Sequence, residues 1–263
     1  MAAASDDIVK SLDMTGRGIV VIGAGQGIGA ATRRALRGLG ANLLCVDNDR
    51  ERGEAIAREV KGFASIADVT ARAGVEQVFA TASDKFGDTL SAVVDIVGMA
   101  RNQPLSSFDD AAWDQQFDIV LRHAFLTIQI GGEALARRGG GAMAFVGSFS
   151  GKLSISGQTA YGTAKAALHH LVECSAHELG PRNVRVNAVA PGFVRTPRLA
   201  RLGDAFWNDI EARLPLRRAA LPEDIAKGLV FLVSDMSTCM TGTVMALDGG
   251  IATVAAVPPV PLK

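Results

Sequence analysis

The sequence predicts an α/β protein in which a doubly wound, seven-stranded parallel sheet carries helices on both faces. Short apolar runs alternate with helix-like stretches through most of the 263 residues, and the first run leads directly into a glycine-rich turn. Continuous apolar runs are typical of parallel strands that are buried on both faces. No Pro-, Ser- or charge-rich linker interrupts this pattern, so we expect a single domain over residues 1–263.

Seven apolar runs bounded by turn residues are the predicted strands, in chain order. They are residues 18–23, 41–47, 63–68, 90–98, 141–148, 184–192 and 242–250. The stretches between them place apolar residues at helical spacing and are the predicted helices. They are residues 28–39, 50–61, 71–86, 107–138, 160–179 and 222–234. Strands that alternate with helices of this length form βαβ units, and therefore a parallel sheet.

Three segments fall outside this alternation. Residues 1–14 are expected to form an N-terminal tail, and the apolar, proline-rich residues 252–263 an extended C-terminal tail. Residues 196–218 place large apolar side chains among charges. This segment is compatible with a lid over a substrate, and equally with an amphipathic helix packed on the core.

The composition restricts the partners of this protein. Lys plus Arg and Asp plus Glu both number 27, which leaves no net charge to attract nucleic acid or an anionic membrane. The N-terminus is acidic, and no apolar run approaches the roughly 18 residues of a membrane span. Cys45, Cys174 and Cys239 lack a CxxC spacing and are expected to be small buried residues. We therefore expect a cytoplasmic protein whose partners are small molecules, without a metal site.

The glycine-rich turn GAGQGIG, residues 23–29, predicts a dinucleotide site because it follows a strand and opens a helix. Gly23, Gly27 and Gly29 allow a tight turn and a close approach to a pyrophosphate at the helix N-terminus. Asp47 ends the second strand, where a carboxylate binds the ribose hydroxyls and repels a 2′-phosphate. Asn48 follows instead of a basic residue, although Arg50 lies near. The pattern favours NAD over NADP, the alternative being that Asp47 only caps the next helix.

The candidate chemistry lies on the predicted helix 160–179. Tyr161, the only tyrosine, and Lys165 are four residues apart and share a helix face, about 6 Å apart at Cβ. A nearby ammonium and an oxidised nicotinamide both favour the phenolate form, which makes a tyrosine a usable base near neutral pH. Ser148 ends the fifth strand and can orient the substrate oxygen that exchanges a proton with Tyr161.

These motifs together resemble the short-chain dehydrogenase/reductase family over about residues 15–251. IGAGQGIG (22–29) resembles the family pattern TGxxxGxG, YGTAK (161–165) resembles YxxxK, and Ser148 corresponds to the catalytic serine. NAVAPGFVRT (187–196) and LDGG (247–250) resemble two further motifs of the family. The resemblance implies a Rossmann-type domain, reversible alcohol–carbonyl chemistry, and a homotetramer or homodimer, with Ser148, Tyr161 and Lys165 as catalytic residues.

Further residues follow from the motifs and the resemblance. The expected cofactor contacts are Gly23, Gly25, Gln26, Gly27, Ile28, Gly29, Asp47, Asn48, Asp68, Val69, Ile96, Val97, Gly98, Tyr161, Lys165, Pro191, Gly192, Val194 and Thr196. Apolar residues predicted to lie near the substrate offer no anchor for a phosphate or a carboxylate. The substrate candidates are Met99, Phe149, Ser150, Leu153, Ile155, Phe193, Leu199, Phe206 and Trp207.

Three positions depart from the family pattern. Ile22 replaces the loop threonine, and Asp95 with the three residues after it replaces the family's NNAG. Val120 stands where the family has an asparagine that helps to hold a water in the proton relay. The backbone carbonyl at Val120 could contribute instead if the helix is kinked there. His123, one turn further, is a substitute relay group in one interpretation and a helix-surface or interface residue in the favoured one.

The sequence therefore predicts an NAD-dependent oxidoreductase that interconverts an apolar secondary alcohol and its ketone. An NADPH-dependent ketoreductase is the alternative within enzymes, and Asp47 disfavours it. A nucleotide-binding sensor or scaffold with degraded chemistry is the alternative from another class, suggested by Ile22, Asp95 and Val120. The retention of Ser148, Tyr161 and Lys165 disfavours that second alternative.

Overall fold

The computed structural model describes residues 8–253 and contains one sheet of seven parallel strands. The strands are β1 Gly18–Ile22, β2 Asn42–Asp47, β3 Phe63–Ile66, β4 Leu90–Asp95, β5 Gly141–Val146, β6 Val184–Pro191 and β7 Val244–Leu247. Their order in the sheet is β3-β2-β1-β4-β5-β6-β7, and each neighbouring pair is parallel. The chain reverses its direction of winding between β1 and β4, so loops diverge there and leave a cleft at the carboxyl ends of these strands.

Helices cover both faces of the sheet, which confirms the predicted doubly wound arrangement. They are α1 Ile28–Gly38, α2 Arg50–Glu59, α3 Arg72–Phe86, α4 Asp110–Phe117, α5 His123–Ala136, α6 Thr159–Leu179, α7 Gly203–Arg213 and α8 Pro222–Val233. One buried cluster joins the sheet to α1, α2 and α8, and a second joins it to α3, α5 and α6. Successive strand residues feed opposite clusters, Ile19 and Val21 one, Val20 and Ile22 the other.

The prediction of a single helix over residues 107–138 is wrong in its starting residue and in its continuity. It begins at Asp110 and is interrupted by one π-helical stretch, Asp118–Arg122, that separates α4 from α5. A π turn inserts one extra residue, so the residues after it are rotated relative to an unbroken helix. Val120 lies in the middle of this stretch and is fully buried. The structure thus contains a helix distortion at Val120, which is the condition under which the backbone carbonyl there could contribute to the proton relay.

Residues 196–218 form a packed helical segment. A 3₁₀ helix, Pro197–Leu202, runs into α7, whose Trp207 is buried with Leu214. Phe193 and Phe206 pack against this pair. The amphipathic helix packed on the body of the protein is confirmed, and movement of the segment as a lid stays a prediction.

Two smaller expectations about the ends and the cysteines need correction. Ile251–Thr253 forms a 3₁₀ helix, so any extended tail begins after residue 253; the remainder of that tail and residues 1–7 lie outside the described residues. Cys45 is buried, whereas Cys174 and Cys239 are exposed, because their helix and turn positions face outward. No helix within residues 8–253 is long and apolar enough to cross a membrane.

Candidate active site

A cleft of ≈ 400 Å³ opens at the point where the winding reverses, between the loops after β1 and β4. Thirteen of the predicted cofactor residues line it: Gly23, Gly25, Gln26, Gly27, Ile28, Asp47, Asn48, Asp68, Val69, Ile96, Val97, Gly98 and Thr196. The remaining six do not line its wall: Gly29, Tyr161, Lys165, Pro191, Gly192 and Val194. Lining residues that the sequence did not indicate are Ile22, Val46, Arg52, Ala67, Thr70, Ile119, Pro197 and Arg198.

The glycine turn forms a backbone cradle that fits a dinucleotide pyrophosphate. Gly23 and Gly27 have φ of 80° and 54°, in the region that favours glycine. A Cβ on Gly29 would lie 2.1 Å from the Gly23 carbonyl oxygen, so only glycine permits this approach of α1 to the strand end. Gly27 caps α1 without a side-chain hydrogen bond, so no side chain occupies the N-terminus of this helix, where the helix dipole favours an anion.

Asp47 lies at the far end of this cleft and is held by an arginine that the sequence did not indicate. Arg52 Nε donates to Asp47 Oδ2 at 2.9 Å, and Arg52 Nη2 lies 2.5 Å from Asp47 Oδ1. The side chain that caps α2 is Asp49, which accepts from the Arg52 backbone N–H at 2.8 Å. Asp47 therefore faces the cleft as predicted and is not the helix cap. Arg50, which the sequence placed near the site, pairs instead with Glu54 on the exposed side of α2.

Three side chains with the predicted chemistry lie together beyond the other end of the cleft. Lys165 Nζ is 5.7 Å from the centre of the Tyr161 ring and donates to the Val146 carbonyl oxygen at 2.6 Å. The Ser148 side chain is hydrogen-bonded to Tyr161 and also accepts from the Ser150 N–H at 3.1 Å. The end of β5 and the first turns of α6 thus place a phenol, a hydroxyl and an ammonium within one small volume.

Burial dominates the protonation of this group. It raises the pKa of Tyr161 above its usual range, against the hydrogen bond from Ser148 and the positive charge of Arg198. Burial also lowers the pKa of Lys165 to about 8, and the carboxylate of Asp95 opposes that decrease. The phenol therefore needs additional positive charge nearby before it can lose its proton near neutral pH.

A carboxylate and an imidazole are buried behind Lys165. Asp95 ends β4, and its Oδ1 lies 3.2 Å from Nε2 of His123 at the start of α5; both side chains are at most 1% exposed. Asp95 Oδ1 also accepts from the Val97 N–H at 3.1 Å. The favoured interpretation of His123 as a surface or interface residue is wrong, because the π turn before α5 rotates this residue inward.

His169 was not indicated by the sequence and holds the Ser148 end of β5. Its Nε2 accepts from the Ser148 backbone N–H at 3.3 Å. The ring fits only because two glycines flank the serine, since a Cβ on Gly147 or Gly151 would approach it to 2.4 or 2.6 Å. Burial, followed by the charges of Lys165 and Lys152, lowers the pKa of His169 to about 4. The imidazole is therefore neutral near pH 7 and acts as an acceptor.

Aromatic rings form the predicted apolar region beside the segment after β6. Ring centroids of Phe149 and Phe193 lie 5.2 Å apart, those of Phe193 and Phe206 6.0 Å, and those of Phe206 and Trp207 5.3 Å. The other substrate candidates are less concentrated. Leu199 packs beside Trp207, Ile155 is half-buried, Met99 and Leu153 are exposed, and buried Ser150 donates its hydroxyl to Gln158.

Comparisons with known proteins find relatives over most of the chain. A family model described as enoyl-(acyl carrier protein) reductase matches residues 23–252. The 3-oxoacyl-(acyl-carrier-protein) reductase FabG of Thermotoga maritima is 31% identical, over 90% of this chain and 98% of the relative.

Solved structures share the fold over nearly the whole chain. A short-chain type dehydrogenase/reductase from Mycobacterium marinum matches with a TM-score of 0.86 and 28% identity, covering 93% of this chain and 98% of that one. A 7α-hydroxysteroid dehydrogenase complexed with NADH and 7-oxo glycochenodeoxycholic acid matches with a TM-score of 0.87 and 25% identity, covering 92% and 96%.

Replacing His169 by glutamine should reduce the loss of stability in acid. The folded-state pKa of about 4 lies below the ordinary 6.5, so the unfolded chain takes up a proton that the folded chain refuses. Stability should fall as the pH drops below about 6.5, by about 2 kcal/mol at pH 5 from this group. Urea unfolding of both proteins at pH 7 and pH 5 measures the difference. An equal acid-induced loss in wild type and His169→Gln would contradict this assignment.

Proposed function

Since the chain belongs to the short-chain dehydrogenase/reductase family of NAD(P)-dependent oxidoreductases, we propose that it interconverts an apolar secondary alcohol and its ketone with NAD. The observation that carries this proposal is the grouping of Tyr161, Ser148 and Lys165 beside a cleft that fits a dinucleotide. The residues present fit that cofactor because the glycine cradle and Asp47 lie in the same cleft, with the phenol beyond its opposite end.

Each of the three side chains has one role in the proposed reaction. A bound nicotinamide dinucleotide supplies hydride acceptance in oxidation and hydride donation in reduction. Tyr161 takes the hydroxyl proton of the alcohol, or returns it to the ketone oxygen. Ser148, hydrogen-bonded to the same phenol, orients that oxygen. Lys165 contributes the positive charge that favours the phenolate.

The preference for NAD rests on the position of Asp47. Its carboxylate lines the cleft and is only 8% exposed, which strengthens its repulsion of a 2′-phosphate. The structural relative that binds NADH supports the same cofactor for this chain. Arg52 works in the opposite direction, because a guanidinium released from Asp47 could bind a phosphate. This arginine is the specific observation that favours the second candidate, an NADP-dependent ketoreductase related in chemistry to the acyl-carrier-protein reductase.

The substrate is proposed to be apolar because Phe149, which directly follows Ser148 in the chain, begins a row of contacting aromatic rings with Phe193 and Phe206. The alternative of a non-enzymatic sensor loses support, since a degraded site has no reason to keep a serine, a phenol and a buried ammonium grouped together.

Replacing Tyr161 by phenylalanine should abolish most turnover and leave cofactor binding nearly intact. The ring still packs, but the proton acceptor is lost, and such groups contribute about 10²–10⁴ in rate. The assay follows NADH absorbance with a panel of apolar secondary alcohols, and NADH fluorescence titration measures binding separately. A decrease in kcat of less than about tenfold would remove Tyr161 from its role.

Cofactor choice should favour NAD over NADP by about 10² in kcat/KM, from charge repulsion and lost hydrogen bonds. Asp47→Ala should narrow the preference, whereas Arg52→Gln should widen it by removing the cation that partly neutralises the carboxylate. Arg50→Gln is the matched control, because Arg50 lies on the exposed side of the same helix. Equal efficiency with the two cofactors in wild type would overturn the NAD preference, and a preference for NADP would select the ketoreductase candidate.

Replacing Val120 by asparagine should change kcat only a few-fold. The π turn already distorts the helix at this position, so backbone carbonyls there can serve the relay without an amide side chain. Val120→Ala controls for altered packing. A wild type that is inactive on every alcohol, but is activated more than about a hundredfold by Val120→Asn, would support the degraded-enzyme alternative.

A further inference from the structure

The reaction proposed above does not use the buried pair of Asp95 and His123. The pair joins the last residue of β4 to the first residue of α5, with 3.2 Å between Asp95 Oδ1 and His123 Nε2. A buried carboxylate is costly unless its charge is compensated, and the imidazole alone compensates it only when protonated. The role of the pair therefore depends on whether a second cation lies close enough to compensate the charge of Asp95.

That second cation is Lys165. Asp95 pairs with Phe145 in the sheet, and the next residue of β5, Val146, accepts the Lys165 ammonium proton at 2.6 Å. On the β4 side, a Cβ on Gly98 would lie 3.0 Å from Lys165 Nζ. The ammonium thus lies across the ends of both strands, close to the carboxylate that terminates one of them. Burial is the larger effect and lowers the pKa of Lys165 to about 8, and the charge of Asp95 opposes part of that decrease.

The pair is poorly explained as a stabilising contact. Asp95 Oδ2 and His123 Nδ1 are both buried without a hydrogen-bond partner among residues 8–253. Incomplete satisfaction of this kind costs stability, and it is commonly kept where a site needs the charge. Val120, one turn before His123, contributes no polar atom from its side chain. The π turn that contains Val120 ends just before His123 and turns the imidazole toward Asp95.

We propose that Asp95, fixed by His123, is the counter-charge that holds the Lys165 ammonium in place beside Tyr161. Both are positioning residues, because they act through Lys165, and the inference rests on the proposed function for the role of that lysine. Without the carboxylate, the lysine would lose its proton at lower pH and with it the charge that favours the phenolate.

Several other titratable groups face this centre. Tyr161 and His169 face it from α6, and Arg198 reaches it from the segment after β6. Arg198 and His169 carry no negative charge near neutral pH, so neither can replace Asp95 as the counter-ion. The Asp95 carboxylate is therefore the group whose removal should change the charge of Lys165.

The first test needs no catalysis. In Asp95→Asn, the equilibrium constant for unfolding should rise about tenfold more at pH 7 than at pH 9.5, because an attraction to Lys165 exists only while the lysine is charged. Urea unfolding at the two pH values measures this. Thr127→Val is the matched control, since Thr127 is a buried neutral residue one turn beyond His123 in α5. An equal increase of the unfolding constant at both pH values would overturn the proposal.

His123 needs its own comparison, because it is the titratable side chain in direct contact with Asp95. Asp95→Asn is therefore repeated in the His123→Gln background. The pH-dependent loss of stability caused by Asp95→Asn should persist in this background, since Lys165 is unchanged. Its disappearance would assign the effect to His123 and overturn the proposal. If Asp95→Asn does not fold, His123→Gln is measured at the same two pH values with the Asp95 carboxylate retained. Its loss of stability should again be larger at pH 7 than at pH 9.5, although smaller than expected for Asp95→Asn. An equal loss at both pH values would overturn the proposal.

The second test uses the pH profile of turnover. Removing a negative charge should move the profile of Asp95→Asn to lower pH, by about one unit on the alkaline side, and Thr127→Val should leave it in place. An active wild type with an unshifted Asp95→Asn profile would overturn this inference alone. A wild type that oxidises no secondary alcohol would overturn the proposed function, and the unfolding measurements would still decide the role of Asp95.

Discussion

The burial of one ammonium, that of Lys165, constrains much of the sequence around the site. The side chain passes between α6 and the sheet and ends at the Val146 carbonyl oxygen, fully enclosed. A charge in that position needs a close acceptor and a nearby negative charge, because water cannot reach it. Val146 and Asp95 meet these requirements from adjacent strands. The end of β4, where Asp95 replaces the family's asparagine, is therefore tied to the lysine of α6.

The space around this ammonium explains residues that the motifs leave unexplained. Gly98 keeps the backbone after β4 clear of Lys165 Nζ, and Gly147 and Gly151 make room for the His169 ring. That ring fixes the Ser148 backbone, so the hydroxyl and the phenol meet at a defined geometry. A positioned hydroxyl is useful to catalysis only when its backbone cannot shift, which is what a neutral buried acceptor supplies.

Cofactor recognition depends on a balance between two opposite charges. Asp47 is typical of NAD recognition, yet Arg52 reaches back across the first turn of α2 and binds both of its oxygens. A carboxylate that is engaged in this way repels a phosphate less strongly than a free one. Under the proposed function, discrimination between NAD and NADP therefore depends on the ion pair of Asp47 and Arg52 and on how easily that pair opens, and not on the carboxylate alone.

Local patterns determined the seven strands, five of the helices (α1, α2, α3, α6 and α8), the glycine turn, and the shared helix face of Tyr161 and Lys165. Each depends on periodicity or on steric limits within a few residues, which the sequence displays directly. Only the tertiary structure decided the pairs Asp95 with His123 and Ser148 with His169, which are 28 and 21 residues apart. Such contacts require a particular side-chain rotamer and, for His123, a π turn that no periodicity signals. The fold could therefore be predicted from the sequence, whereas the electrostatic surroundings of Lys165 depended on long-range packing.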